Sequence, residues 1–290
     1  MFDIPSNFLL KKCSKCGLVF IDPQPFQKAL KKHYPSKSYY AYRKTGKKGV
    51  FEILREYLVM HYYSPNLLSK FISTFIKNVP AMPSKNIKGK ILDLGCGTGD
   101  TLVLLKKLGW ETYGIDMDKN ALFMGKRKGL KNLRLGTYQA LSKYPDSFFD
   151  AIRLYHVIEH IDDPVKCVRL IKRKLKKNGE LIIGTPNADS LLSFLFKKDW
   201  YNLDSPRHLF IFSPKTLKRL IKSEKMSAGS AEFYSAGGLP GSLQYYIEDK
   251  FGKKIDLIHK LPAVLLLYPL EWFLDKIKLG DVFTIKAIKR

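Results

Sequence analysis

The sequence predicts a doubly wound α/β fold on a mainly parallel sheet, and three observations predict it. The first is a short apolar run, Ile91 to Leu94, broken only by Asp93 and leading into glycines at 95, 97 and 99. The residues that follow, Thr101-Leu-Val-Leu-Leu-Lys-Lys-Leu, take up a helical pattern, so strand, turn and helix succeed one another. The second is Trp110-Glu-Thr-Tyr-Gly-Ile-Asp, a strand ending in Asp116 about twenty residues beyond the turn. The third is the continued alternation of strand and helix patterns downstream, which is the mark of parallel crossover units.

Taken in order, residues 1–50 form a separate head. Lys12-Cys13-Ser-Lys-Cys16-Gly-Leu-Val-Phe holds one Cys-x-x-Cys knuckle followed by a short strand, half of a zinc ribbon, whereas zinc asks for four ligands. Only His33 or a second chain is at hand to complete such a set, so Cys13 and Cys16 are read as ordinary thiols and no metal is expected. The aromatic stretch from His33 to Tyr42 reads as a loop, either a lid over a pocket or packing on a domain edge. Residues 51–88 read as a helical region, broken at Ser64-Pro65 and closed by the linker Pro80-Ala-Met-Pro-Ser.

The core is expected over 89–236. After Asp116 come a helix over 119–128, a third strand from Asn132, a fourth over 149–155, a helix over 164–177 and a fifth strand over 180–184. Ser213-Pro opens a further helix, a sixth strand covers about 227–234, and Val282-Phe-Thr-Ile-Lys-Ala-Ile is a last strand within 281–290. The intervening 237–280 is too long for a hairpin and reads as a helical insertion. Its apolar run from Leu261 to Leu274 is shorter than a bilayer span and interrupted by Pro269 and Glu271. With Lys253, Lys254, Lys260, Lys276 and Lys278 around it, the run suits either an anionic membrane surface or packing on the core or a twin subunit.

Composition sets the partners. Against 26 Asp and Glu stand 51 Lys and Arg, a formal +25, which favours anionic partners such as nucleic acid, acidic membranes or phosphorylated substrates; adaptation to heat produces the same excess. Four cysteines, with Cys96 in the glycine turn and Cys167 in a helix, argue against a disulfide scaffold. Without a secretory signal, the expected setting is the cytoplasm, extending to the inner face of the membrane.

Glycines let a backbone meet a ligand closely, and a helix's first turn offers free N–H groups to an anionic group. An acid ending the second strand accepts hydrogen bonds from ribose hydroxyls. On these residues the chain resembles the class I methyltransferases that use S-adenosylmethionine. Leu92-Asp-Leu-Gly-Cys-Gly-Thr-Gly matches their first motif, Gly114-Ile-Asp116 the second, Ser147 to His160 the fourth-strand motif, and Leu175 to Asn187 the fifth-strand block. Dinucleotide dehydrogenases share only the first two.

The resemblance implies a Rossmann-like seven-stranded sheet whose last strand inserts antiparallel between the fifth and sixth. It implies that Gly95, Cys96, Gly97 and Gly99 hold the methionyl end, with Asp93 behind the turn, and that Asp116 holds the ribose. Met117, Thr137, Gln139 and Tyr155 are further cofactor contacts; Thr137 stands where the family is usually acidic, so Gln139 and Leu141 become substitutes for the adenine. It implies too that the head is the rear half of a fuller cysteine module or follows a start placed too late.

Candidate bases are His156 and His160, at the end of the fourth strand, and His208; their rival role is to brace the chain. His156-Val-Ile-Glu159-His160 also spells a zinc-peptidase pattern, but those ligands need a continuous helix. Trp200-Tyr201 to Pro214 resembles the substrate-side loop of one methyltransferase branch, with Arg207 either clamping an anionic acceptor or pairing with Asp204. The expected acceptor is a small molecule, glycan or lipid methylated at oxygen. RNA methylation and a non-catalytic scaffold at a membrane are the alternatives, and the oligomeric state is left open.

Overall fold

A computed structural model describes residues 8–25, 50–75, 81–84, 88–235 and 237–290. His33 and the aromatic stretch, read as either a lid or packing on a domain edge, lie outside the described residues. The strands are β1 (Leu9–Lys12), β2 (Val19–Asp22), β3 (Lys90–Leu94), β4 (Glu111–Asp116), β5 (Asn132–Leu135), β6 (Phe149–Tyr155), β7 (Leu175–Pro186), β8 (Phe210–Ile211), β9 (Met226–Tyr234) and β10 (Val282–Lys289). The helices are α1 (Val50–Met60), α2 (Leu67–Phe75), α3 (Asp100–Lys107), α4 (Lys119–Arg127), α5 (Pro164–Lys174), α6 (Leu191–Phe196), α7 (Pro214–Ser223), α8 (Gly238–Phe251) and α9 (Leu261–Lys276).

Seven strands form the main sheet in the order β5-β4-β3-β6-β7-β10-β9. The first five run parallel, and β10 enters antiparallel to both β7 and β9. This is the Rossmann-like arrangement with an inverted last strand. Strand alternation sorts the core into two faces. Leu92, Leu94, Ile152, Leu154, Leu181 and Ile183 point to one, where Val168 and Ile171 of α5 and Leu217 and Ile221 of α7 meet them. Ile91 and Ala151 point to the other, against Val59 of α1 and Leu102 and Leu105 of α3.

Two charges stand in those buried strands. Asp93 pairs across the parallel register with Arg153, whose Nη1 donates to both carboxylate oxygens at 2.7 and 2.9 Å while Nε donates to the Ala81 carbonyl at 3.2 Å. Burial drives the Asp93 carboxyl up and Arg153 opposes it. Neither charge could lie there without the other.

Several boundaries differ from the sequence reading. The fifth strand spans 175–186 rather than 180–184, and the helix before it stops at Lys174 rather than 177. Phe149 pairs with Leu175 but Ala151 with Glu180, so Lys176 to Gly179 bulge out at the start of β7, with Asn178 at φ 63°. The break between α1 and α2 is fixed by Asn66, whose Oδ1 accepts the Ser69 N–H at 2.7 Å, an N-cap one residue past Ser64-Pro65.

The head is tied to the core by a second sheet, β1-β2-β8. The Cys-x-x-Cys knuckle is the turn of its hairpin: the Cys13 N–H donates to the Leu18 carbonyl at 2.9 Å and the Gly17 N–H to the Cys13 carbonyl at 2.8 Å. Hydrogen bonds from the Cys16 backbone and thiol lower the Cys13 pKa. Ile21, 1% exposed, anchors the hairpin, and its N–H donates to the Leu209 carbonyl at 3.1 Å. Residues 8–25 of the head therefore rest on the loop that holds Leu209.

Candidate active site

The glycine turn closes over the end of β4. The Gly95 and Cys96 N–H groups both donate to the Ile115 carbonyl, at 2.7 and 3.1 Å. A Cβ on Gly95, at φ 75°, would lie 2.3 Å from the Val157 side chain, so that glycine is required by packing. A Cβ on Gly97, at φ 53°, would meet nothing within 4 Å. Gly97 alone of the three therefore opens on empty space, a cradle for a ligand.

Asp116 borders that cradle. Its Oδ2 accepts the Gly97 N–H at 2.7 Å and its Oδ1 the Asp118 N–H at 2.9 Å. Burial raises the carboxyl, and the N–H groups of Asp118, Gly97 and Met117 counter it. A carboxylate offers about four lone-pair sites, so these N–H groups leave acceptor capacity for a ribose diol. The turn and this acid thus fit S-adenosylmethionine. Met117 follows, 59% exposed, while Asp118 turns back to cap α4 through Asn120 and Ala121.

Other expected cofactor contacts separate into outward and inward groups. Thr137 and Gln139 are exposed and their side chains touch each other. Leu141, by contrast, is wholly buried in the main core and faces away from any adenine site. Cys96 points inward: a Cβ on Gly114 would lie 2.7 Å from its sulfur, and burial first, then the charges of Asp93 and Asp116, push its thiol far up. Asp93 is engaged by Arg153 behind the turn, as described above. Tyr155 ends β6 half-buried, stacked on Tyr234 with centroids 6.1 Å apart.

The three histidines come together around Glu159. His156 leaves β6 at φ 54°, a conformation uncommon for a residue with a Cβ, and its N–H donates to the Gly184 carbonyl at 2.9 Å. Its Nδ1 lies 3.3 Å from Glu159 Oε1; the His156 side chain is 27% exposed and that of Glu159 1%. Thr185 Oγ1 donates to the other oxygen, Oε2, at 3.0 Å. Among the described residues Oε1 accepts no well-aligned hydrogen bond; burial drives the Glu159 carboxyl up, but the closeness of His156, with smaller contributions from His160 and His208, holds it at about 2. His156 is therefore a partly exposed histidine whose Nδ1 faces a buried carboxylate.

His160 and His208 are braced. His160 Nδ1 lies 2.9 Å from the Arg207 carbonyl and His208 Nδ1 2.9 Å from the Asn202 carbonyl, so each ring donates to backbone. Their rings meet edge to face at 4.7 Å. Burial pushes both down to about 4, with His208 adding to the effect on His160. Among the described residues, Glu159, His160 and His208 form the group in which three metal-type donors converge, within 4.8 Å of one another. No local sequence pattern joins His208 to that pair. The Leu209 N–H donating to the Glu159 carbonyl at 2.8 Å is the link no local pattern signals.

The loop from Trp200 to Pro214 is braced as well. Arg207 donates to Asp204 Oδ1 from Nε at 2.9 Å and from Nη2 at 2.6 Å, the pairing weighed against an acceptor clamp. Trp200 is buried, its Nε1 donating to Asp281 Oδ1 at 2.5 Å. Tyr201 packs on α8, where its N–H donates to Ser242 Oγ at 3.0 Å. Asp281 also accepts from Ser190 and Asn202, and burial lifts its carboxyl to about 6 against those bonds. This hub was not anticipated, because an acid just before a strand reads as an ordinary turn residue.

A pH prediction arises here. Unfolded, His208 binds its proton near 6.5; folded, near 4, so between those values the unfolded chain binds more protons and acid destabilises the fold. Glu271 and Asp281, raised to about 7 and about 6, act in the opposite sense, so the total slope is not diagnostic. The difference between variants is. His208→Asn is expected to gain about 2 kcal/mol relative to wild type on going from pH 7 to 5 in urea titrations. A difference independent of pH would show that His208 is not held neutral.

A family model described as a methyltransferase domain matches residues 60–223. A ubiquinone biosynthesis O-methyltransferase of Alkalilimnicola ehrlichii is 33% identical over 112 residues, 37% of this chain and 45% of that one. Its counterpart in Pelagibacter ubique is 30% identical over 165 residues, 50% of this chain and 67% of that one. The chain spans about half the length of the first such relatives it matches, 45% and 51%. Among solved structures, the cyclase SpnF aligns at a TM-score of 0.51 and 15% identity, covering 92% of this chain and 98% of that one. Such a likeness shows the fold alone, and a cyclase on this fold shows that the fold does not name the reaction. The family match covers more than half of the 290 residues and contains both the Gly97 cradle and Asp116, and on that ground the chain belongs to the class I methyltransferase domain family, whose cofactor is S-adenosyl-L-methionine.

Proposed function

We propose that the protein transfers a methyl group to a hydroxyl oxygen of a small-molecule acceptor, with glycans and lipids as the classes to examine first. The observation that carries this reading is the His156–Glu159 pair at the carboxyl edge of the sheet, where open α/β sheets bind ligands. S-adenosylmethionine supplies a methyl group already activated on a sulfonium. Gly95, Gly97 and Gly99 would hold its methionyl end, Asp116 its ribose, and Met117, Thr137 and Gln139 would border the adenine.

The chain's own chemistry is then positioning and one proton transfer. A hydroxyl is a weak nucleophile until its proton leaves. The ring nitrogen of His156 opposite Nδ1 accepts that proton, and Glu159 holds the Nδ1 hydrogen and stabilises the imidazolium that forms. His160 and His208, committed to backbone carbonyls, keep Glu159 and the Asp204–Arg207 loop in place. That the similar proteins are named for O-methylation in ubiquinone biosynthesis supports oxygen as the methylated atom.

The test is turnover with radiolabelled S-adenosylmethionine against a panel of phenols, glycosides and lipid extracts. O-methylated product that depends on the enzyme is the expected result. Label appearing in amine or RNA acceptors and in no hydroxyl acceptor would remove the oxygen assignment.

A further inference from the structure

The insertion between β9 and β10 ends in a helix that is apolar on two faces: Leu274 and Leu267 pack inward beside Leu239, while a second apolar row points outward. In a surface helix the apolar stripe normally faces the core. In α9, Leu266, Leu270, Phe273 and Ile277, just past its last residue, follow helical spacing and are 79%, 49%, 52% and 46% exposed, while Glu271 and Asp275 are 2% and 6% exposed.

Hydrogen bonds fix this orientation. Glu271 Oε1 accepts the Leu239 N–H at 2.8 Å and Oε2 the Gly237 N–H at 3.4 Å, serving the start of α8. Asp275 accepts the Ser235 N–H and hydroxyl, both at 2.9 Å. On the flank, Trp272 Nε1 donates to the Thr74 carbonyl at 2.8 Å. Turning the leucines inward would break all of these and leave two buried carboxyls without partners. The apolar stripe is therefore held outward by the fold.

We propose that this stripe docks the protein on an anionic phospholipid surface, with α9 lying in the plane of the interface. Charge selects that occupant. Lys260 precedes the helix, Lys276 ends it and Lys278 lies beyond Ile277, and all three are exposed. Lysines rimming an apolar face add attraction to acidic headgroups to the burial of the stripe. A second copy of a chain with net charge +25 would bring those same lysines together. No helix among the described residues is long and apolar enough to cross a membrane, so the contact is with one leaflet.

Vesicle flotation of the full chain tests this with phosphatidylcholine vesicles, with and without 40% phosphatidylglycerol. The expected result is co-flotation with the anionic vesicles at about 0.1 M salt, falling at least tenfold at about 1 M salt and on phosphatidylcholine alone. The double variant Leu266→Glu, Phe273→Glu is expected to lose binding at least tenfold while its melting temperature and S-adenosylmethionine affinity stay unchanged. Three results would overturn the proposal: wild type remaining unbound on anionic vesicles, the double variant binding like wild type, or sedimentation showing a wild-type dimer that the double variant dissolves. None of them bears on methyl transfer, so the two readings fail separately.

Discussion

Replacing Asp116 with alanine is expected to weaken S-adenosylmethionine binding by about a hundredfold or more in a calorimetric titration. The magnitude follows from what the carboxylate offers. Hydrogen bonds to a charged acceptor are each worth about 1.5–3 kcal/mol, and a ribose presents two hydroxyls. Asp116 also accepts the Gly97 N–H, so alanine would loosen the turn as well as remove the acceptor. Asp116→Asn separates the two effects, since the amide oxygen can keep one of these bonds, and its expected loss is about tenfold. S-adenosylhomocysteine should lose as much as S-adenosylmethionine, because the two share the ribose and differ only at sulfur. An alanine variant that binds within threefold of wild type would refute the ribose assignment.

How far the sequence carries depends on whether a feature is local. Ile91 to Gly99 and Gly114 to Asp116 are local patterns whose strand, turn and acid follow from periodicity and glycine chemistry; the seven-stranded sheet with its inverted last strand came from the family resemblance that those motifs carry. The pairing of Asp93 with Arg153 was not drawn, although a signal existed: one acid and one base, each alone in a buried parallel strand, require each other. The sheet β1-β2-β8 had no such signal. Leu9–Lys12 is exposed along its whole length and β8 is two residues long, so neither carries the alternation that marks a strand. Its pairing joins residues nearly 200 apart in sequence, Phe20 with Phe210.

The histidines show the same division. Their clustering about Glu159 depends on the loop that brings His208 back, fixed by backbone bonds invisible to residue patterns. Sequence named three candidate bases of equal chemistry. Burial and hydrogen bonding distinguish them, because His160 and His208 each use a ring nitrogen on a carbonyl and are held neutral to about pH 4, far below the working range of a general base. The positive φ at His156 belongs to the same logic: strain of this kind persists where the surroundings require a side chain to point one way.

His156→Ala is accordingly expected to lower kcat by about 10² to 10⁴, the range for losing a general base, with S-adenosylmethionine affinity unchanged. In free energy that is about 3–5 kcal/mol of transition-state stabilisation. The loss should appear in kcat with little change in KM, because the proton moves in the transition state and the ground-state contacts of donor and acceptor remain. Added imidazole should restore part of the rate in the alanine variant, which a merely structural role for His156 would not allow. Glu159→Gln is expected to cost about ten- to a hundredfold, since the amide can still accept the Nδ1 hydrogen but carries no charge to balance an imidazolium. His160→Asn and His208→Asn keep a donor for the Arg207 and Asn202 carbonyls and should retain turnover within a few-fold of wild type. The ordering is what matters: if His208→Asn were as slow as His156→Ala, and imidazole rescued the former alone, the base would be His208, and Glu159 would be its partner instead.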